Sequence, residues 1–153
     1  MGILTADMQR LVEAELGFVA TVCPDGTPNL SPKGTTLVWD DDHLVFADIR
    51  SPGTVTNLRA NPSIEINVVD QLVRKGYRFK GTATVHTDDD VFERGLAFYE
   101  ARGTAQARER IRSIVVVTVE RAEAVTSPAY DIGFTEDELR ERFLARFTAS
   151  ASE

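Results

Sequence analysis

The chain has 153 residues, 42% apolar and 27% charged, with a formal net charge of -7. That size and balance suit one domain with a buried core, and the negative charge excludes a general nucleic-acid binder, which needs an excess of Lys and Arg facing the phosphates. The lone cysteine, Cys23, allows no internal disulfide, and no CxxC or Cys/His spacing suggests zinc. No apolar run approaches the roughly 20 residues that span a bilayer, and the N-terminus lacks the basic-then-apolar layout of an export signal. A soluble, cytoplasmic chain is expected.

In chain order, Thr5 is placed to cap a first helix whose Met8, Leu11, Val12 and Leu16 fall on one face, with Gly17 as its stop. Phe18 to Cys23 reads as a strand, and Pro24-Asp25-Gly26-Thr27-Pro28 as the turn of a hairpin whose second arm begins near Asn29. Thr35 to Trp39 and His43 to Ala47 form a further strand pair around the Asp40 to Asp42 turn. Ser51, Pro52 and Gly53 then open a helix of about two turns, which Asn61 and Pro62 stop. Two alternating strands follow, Ser63 to Val69 and Tyr77 to Thr87, the second with Gly81 as a bulge or bend. A nearly continuous apolar strand starts at Ser113.

Helices fill the gaps. Val91, Phe92, Leu96 and Tyr99 lie at helical spacing behind Asp88 to Asp90, which favour the positive helix start. Thr135 and Glu138 form a capping box ahead of Leu139, Phe143 and Phe147. About six strands with few long helices predict a mainly β (β+α) fold, a six-stranded antiparallel β-barrel with flanking helices. No repeat or linker divides the chain. It reads as one domain, residues 1–153, with a core at about 5–125 and a C-terminal helix at about 135–147.

Two segments carry the chemistry. At the start of the Pro52 helix, unpaired N–H groups and the positive dipole end meet the hydroxyls of Ser51 and Thr54 and the charge of Arg50, a set suited to a phosphate monoester. Its alternative is a plain N-capped connector with a solvated Arg50. In Pro28 to Thr36, Ser31, Lys33 and Thr35 occupy alternate positions and share one cationic, hydroxylated face if the segment is extended. Its alternative is a surface lysine on an edge strand.

In order and spacing, Gly26-Thr27-Pro28, Ser31-Pro32-Lys33-Gly34, Asp40 to Asp42, Leu44 to Ala47, Asn57-Leu58 with Asn61-Pro62, and Gly81-Thr82-Ala83 resemble the pyridoxamine 5'-phosphate oxidase-like flavoproteins with the FMN-binding split-barrel fold. The resemblance covers roughly Thr5 to Val125. It implies a homodimer with one FMN in each of two grooves at the subunit interface. Carried over by position, Ser31, Pro32, Lys33 and Gly34 from the strand and Asp48, Ile49, Arg50, Ser51 and Thr54 from the loop grip the phosphate and ribityl chain. Arg78 or Lys80 is implied to reach the flavin from the same or the other subunit. The family's arginine near the start of the polar strand is replaced here by Ser31, and its Ser-Arg-Lys before the short helix by Ser51-Pro52-Gly53, with Lys33 and Arg50 placed to compensate. The C-terminal arginine motif of true pyridoxamine phosphate oxidases is absent, which argues against vitamin B6 oxidation.

The function implied is a flavin-dependent oxidoreductase acting on a small organic substrate or a nicotinamide donor, with Lys33 as the cation near the flavin. A non-enzymatic FMN carrier, a deazaflavin-dependent reductase, and a barrel that binds a nucleic-acid or protein partner are the alternatives. No protein acid, base or nucleophile is required, and no metal. His43 and His86 read as structural or solvated, Cys23 as packing, Trp39 as core or interface, Asp88 to Asp90 as dipole compensation, and Gln106 to Arg112 as a solvated helical face.

Overall fold

The computed structural model describes residues 1–151. Its seven strands are β1 Gly17–Val22, β2 Pro28–Lys33, β3 Leu37–Asp40, β4 His43–Asp48, β5 Ser63–Asp70, β6 Lys75–His86 and β7 Ser113–Thr126. They form one sheet in the order β2-β1-β5-β6-β7-β4-β3, and every neighbouring pair is antiparallel. The edge strands β2 and β3 are consecutive in the chain, separated only by Gly34, Thr35 and Thr36. Laid flat, seven strands would hold those edges roughly 29 Å apart. A link of that length reaches about 14 Å at most, so the sheet has to roll.

The expected count of six strands is one too few. The polar stretch Pro-Asn-Leu-Ser-Pro-Lys, expected as the second arm of the hairpin, carries little apolar alternation and is a full strand, its backbone pairing with β1 from Gly17 opposite Lys33 to Val22 opposite Pro28. The hairpin between them closes as its composition predicts, with Gly26 at φ +84° and Asp25 accepting from the Thr27 N–H at 3.0 Å.

Two apolar clusters stabilise the roll. Inside it lie Val19, Leu44, Phe46, Ile66, Val68, Phe79, Val115 and Val117. Outside it, Val45, Ala47 and Ile114 pack under α3 (Asp90–Ala101), against its Leu96 and Tyr99. β4 and the first half of β7 are therefore covered on both faces, which explains their unbroken apolar runs. Beyond Thr118 the strand emerges into solvent and its burial alternates.

Local chemistry sets most helix boundaries. α1 (Ala6–Ala14) starts at Thr5, whose hydroxyl accepts from the Met8 N–H, and buries Leu11 and Val12. It stops at Glu15, so Leu16 is 41% exposed instead of on the packed face, and Gly17 begins β1 instead of ending the helix. The N-cap of α3 is Asp89, which accepts from the Phe92 N–H at 2.9 Å and pairs with His86 Nδ1 at 2.6 Å. The segment expected to be a solvated helical face is a single turn, α4 (Ala107–Arg110), with Ala107 and Ile111 buried in the outer cluster.

The C-terminal helix α5 (Glu136–Ser150) has the expected capping box between Thr135 and Glu138. It packs on the β5–β6 turn of its own chain. Leu139 is buried, Glu136 pairs with Lys75 at 2.9 Å, and the Arg74 guanidinium lies 3.9 Å from the Phe143 ring centroid. Just before α5, the Tyr130 hydroxyl donates to the Val73 carbonyl. Among the described residues no helix is long and apolar enough to cross a membrane.

Gly81 is the bulge anticipated from its place in an alternating strand. The β6–β7 register shifts between Lys80 and Gly81, and a Cβ there would sit 1.9 Å from the Thr118 carbonyl oxygen. Gly81→Ala is therefore expected to destabilise the protein by about 3 kcal/mol or more. Urea denaturation measures this, and a loss below about 1 kcal/mol would show that the bulge is soft.

Candidate functional site

The roll brings the end of β2 against the end of β4. At that seam Lys33 is only 7% exposed, and its ammonium donates to Ser31 Oγ at 2.8 Å and to Ser51 Oγ at 2.6 Å. Ser31 comes from β2 itself, while Ser51 lies 18 residues later, at the start of α2 (Pro52–Ala60). The two segments singled out in the sequence thus converge on one cation. Among the described residues no carboxylate lies within ion-pair distance of it.

Asp48 orders the loop. Its carboxylate accepts from the Ser51 N–H at 2.8 Å and from Ser113 Oγ at 3.3 Å, and its carbonyl accepts from the Arg112 N–H at 2.8 Å. Ser51 holds the N-cap position of α2, but its hydroxyl makes no cap bond, being committed to Lys33. The first turn of α2, with Pro at its start, is left without a side-chain cap, so the Gly53 and Thr54 N–H groups remain available to an acceptor from outside. A Cβ at Gly34 or at Gly53 would meet nothing within 4 Å, which leaves open space on either side of the seam.

The other predicted residues are distributed unevenly. Thr54 is buried, 3% exposed, on the inner side of α2. Ile49 packs half-buried against the outer cluster, and Arg50 is exposed and forms no ion pair. Pro32 faces outward from β2, opposite Phe18. The register explains Lys80. Ser31, Val19, Ile66 and Phe79 are directly paired in turn and share the inner face, whereas Leu30, Ala20, Glu65 and Lys80 share the outer one. Within one chain Lys80 therefore stands on the opposite face of the sheet from Ser31 and Lys33, paired with Glu65 at 3.4 Å. Arg78 lies on that same outer face and also pairs with Glu65.

Thr35, expected on the hydroxylated face beside Lys33, and two residues not expected at the site, Tyr99 and Asn57, hold it in shape. Thr35 Oγ1 accepts from the Ala47 N–H at 3.0 Å and donates to the Ala47 carbonyl at 3.3 Å, standing in for a strand partner across the seam. The buried Tyr99 hydroxyl donates to the Thr35 carbonyl at 2.6 Å, and burial pushes its pKa up. Asn57, 5% exposed, donates to Thr21 Oγ1 at 3.0 Å and ties α2 to β1. Thr35 and Tyr99 are 64 residues apart, and no local pattern links them. Asn57 did carry a signal, in the Asn-Leu before Asn61-Pro62.

The model of the pyridoxamine 5'-phosphate oxidase family matches residues 4–126, and the chain belongs to that family. An uncharacterized protein of Methanocaldococcus jannaschii is 28% identical over 89 residues, 57% of this chain and 59% of that one, so the match spans under two thirds of the relative's length. Among solved structures, HupZ of Group A Streptococcus is 31% identical with a TM-score of 0.73, covering 82% of this chain and 96% of that one. An FMN-binding protein from Syntrophomonas wolfei shares the fold at 14% identity and TM-score 0.67, over 81% and 87% of the two chains. An F420 reductase does so at 22% identity and TM-score 0.60, over 78% and 98%.

Burial lowers the Lys33 pKa below the ordinary 10.5, against the attraction of Asp48. Because the fold disfavours the charged form, Lys33 costs stability at neutral pH. That cost is relieved as pH rises from the folded-state pKa toward 10.5, where the unfolded chain's lysine also loses its proton. Lys33→Met is expected to stabilise the ligand-free protein by about 1 kcal/mol at neutral pH, with the gap closing as pH approaches that value. Urea denaturation across this range tests it; a methionine variant weaker than the parent at neutral pH contradicts it.

Proposed function

We propose that the protein is an FMN-binding flavoprotein oxidoreductase that acts on a small organic substrate or a nicotinamide donor. The observation that carries this reading is the buried Lys33 ammonium, held only by two serine hydroxyls beside an uncapped helix start. A buried cation without a counter-ion is costly unless an anion completes it. The donor set of Lys33, Ser31, Ser51 and the first N–H groups of α2 fits a phosphate tail, and the space around Gly34 and Gly53 admits one. Family membership and a fold shared with an FMN-binding protein support the choice of flavin.

When bound, FMN supplies reversible two-electron chemistry that no side chain here offers. The chain's own residues bind and orient. Lys33 presents positive charge, Ser31 and Ser51 fix its direction, and Asp48 holds the Ser51 backbone in place. The outer sheet face supports the homodimer implied by the family resemblance. Phe18 is 40% and Leu30 66% exposed there beside Pro32, an apolar patch suited to a second copy. Across such an interface Lys80, which faces away from its own chain's seam, would serve the partner's groove.

A deazaflavin reductase is the second reading, favoured by the fold shared with the F420 reductase and by a grip directed at phosphate more than at the ring. An FMN carrier is the non-enzymatic form of the first.

The purified protein is expected to be yellow and to release FMN on denaturation, identified by spectrum and mass; a deazaflavin spectrum selects the second reading. Lys33→Met is expected to weaken FMN binding at least about tenfold in a fluorescence titration. Rapid bleaching on anaerobic mixing with NADH or NADPH marks a reductase, and a bound flavin that stays oxidised marks a carrier. A colourless protein that takes up neither cofactor at micromolar concentration refutes the reading.

A further inference from the structure

A second cationic cavity lies where β4, β6 and β7 end beneath α2. It encloses about 280 Å³ and opens to solvent, and its lining includes Asp48, Thr56, Arg59, Thr87, Arg112 and Ser113. Topology assembles it from three places in the chain. Asp48 is the last residue of β4 and pairs in register with Ser113 at the start of β7, while Thr87 directly follows the end of β6, where His86 pairs with Ile114. Pro52, Val55, Thr56 and Arg59 form the wall from α2, one face of that helix at spacings of three and four residues. Thr54 and Asn57 point instead into the barrel, where both are buried.

The electrostatics of this cavity are unusual for the molecule. Acidic side chains outnumber basic ones by 24 to 17, and most arginines are paired with a carboxylate or stacked on a ring. Arg59 and Arg112 face the same cavity, and among the described residues neither guanidinium makes an ion pair, a side-chain hydrogen bond or a ring contact. The one carboxylate in the lining is 5% exposed and already engaged by the Ser51 N–H and Ser113 Oγ. Two guanidinium forks beside the free Thr56 hydroxyl, with the Thr87 hydroxyl donating to Asp88 at 3.5 Å at the rim, suit a compact anion with several acceptor oxygens and more than one negative charge.

We propose that Arg59 and Arg112, with Thr56, form a binding site for a dianionic phosphoryl group, in addition to the anion site at Lys33. Asp48 belongs to both. It is among the residues that line this cavity, and its side chain accepts from the N–H of Ser51, the residue whose hydroxyl receives Lys33. A phosphoryl group held by the arginines would therefore share Asp48 with the loop that orders the first site. The same chemistry is offered by free phosphate and by the terminal phosphate of a phosphorylated nucleotide.

The full chain, labelled with nitrogen-15, is titrated with inorganic phosphate at constant ionic strength, and then with 2'-AMP and 5'-AMP. Saturable amide shifts at Thr56, Thr87, Arg112 and Ser113 are expected, with a dissociation constant on the order of 1 mM or tighter. Arg59→Gln and Arg112→Gln are each expected to weaken binding at least about tenfold, and Arg112→Lys to restore only part of it, because lysine keeps the charge without the fork. If Arg112→Gln fails to fold, Arg59→Gln and Arg112→Lys carry the test. Tighter binding of a nucleotide than of phosphate assigns the site to a phosphorylated nucleotide; equal binding assigns it to free phosphate. Shifts confined to Ser31, Lys33 and Ser51, shifts unaltered by the arginine variants, or no saturation by about 20 mM overturn the proposal.

Discussion

A three-residue link between the two edge strands of a seven-stranded sheet is the constraint from which the site follows. Gly34, Thr35 and Thr36 are too short to cross a flat sheet, so β2 and β4 meet end to end. Their meeting is secured by polar contacts instead of a ladder. Thr35 takes both main-chain groups of Ala47, Tyr99 holds the Thr35 carbonyl from the outer cluster, and Lys33 reaches Ser51. Closure of the sheet and assembly of the candidate site are one event.

That arrangement sets stability against binding. The ammonium of Lys33, a residue 7% exposed, is satisfied only by hydroxyls and poorly compensated, and burial lowers its pKa. The same deficit favours the proposed anion, which would gain there the attraction that the fold withholds. Uncapped N–H groups at the start of α2 add to it in the same direction. Asp48 is near enough to moderate the charge without neutralising it, and its own bonds keep it on the loop side of the lysine.

Asp48 also connects two regions that the chain separates. Through Ser51 it touches the seam, and through Ser113 and the Arg112 backbone it touches the start of β7, where the second cationic cavity opens. The loop that begins α2 is thus held from both sides by hydrogen bonds to one buried carboxylate. Family membership gives the frame in which a flavin is proposed, but the departures from the family pattern, Ser31 and Ser51-Pro52-Gly53, show that here hydroxyls and backbone groups gather around a single lysine.

What the sequence determined by itself was the part governed by neighbours along the chain. The Asp25–Gly26 hairpin, the Thr5 and Thr135 caps, the Pro52 helix start and the Gly81 bulge rest on chemistry within a few residues, and each was legible. The order of motifs also carried the family, because spacing along a chain survives where side chains change. The tertiary structure decided everything that depends on which residues meet across the roll. The polar arm of the hairpin is held in the sheet by backbone pairing alone, Leu16 is left outside because its helix ends two residues before it, and Ser51 gives its hydroxyl to a lysine 18 residues away instead of to its own helix. Alternation fixed that Lys80 has one face, but only the register through β5 and β1 shows that this face is turned away from Ser31. Hydrogen bonds between distant segments leave no periodic trace in a sequence, so the seam, and with it the site, became visible only once the sheet had closed.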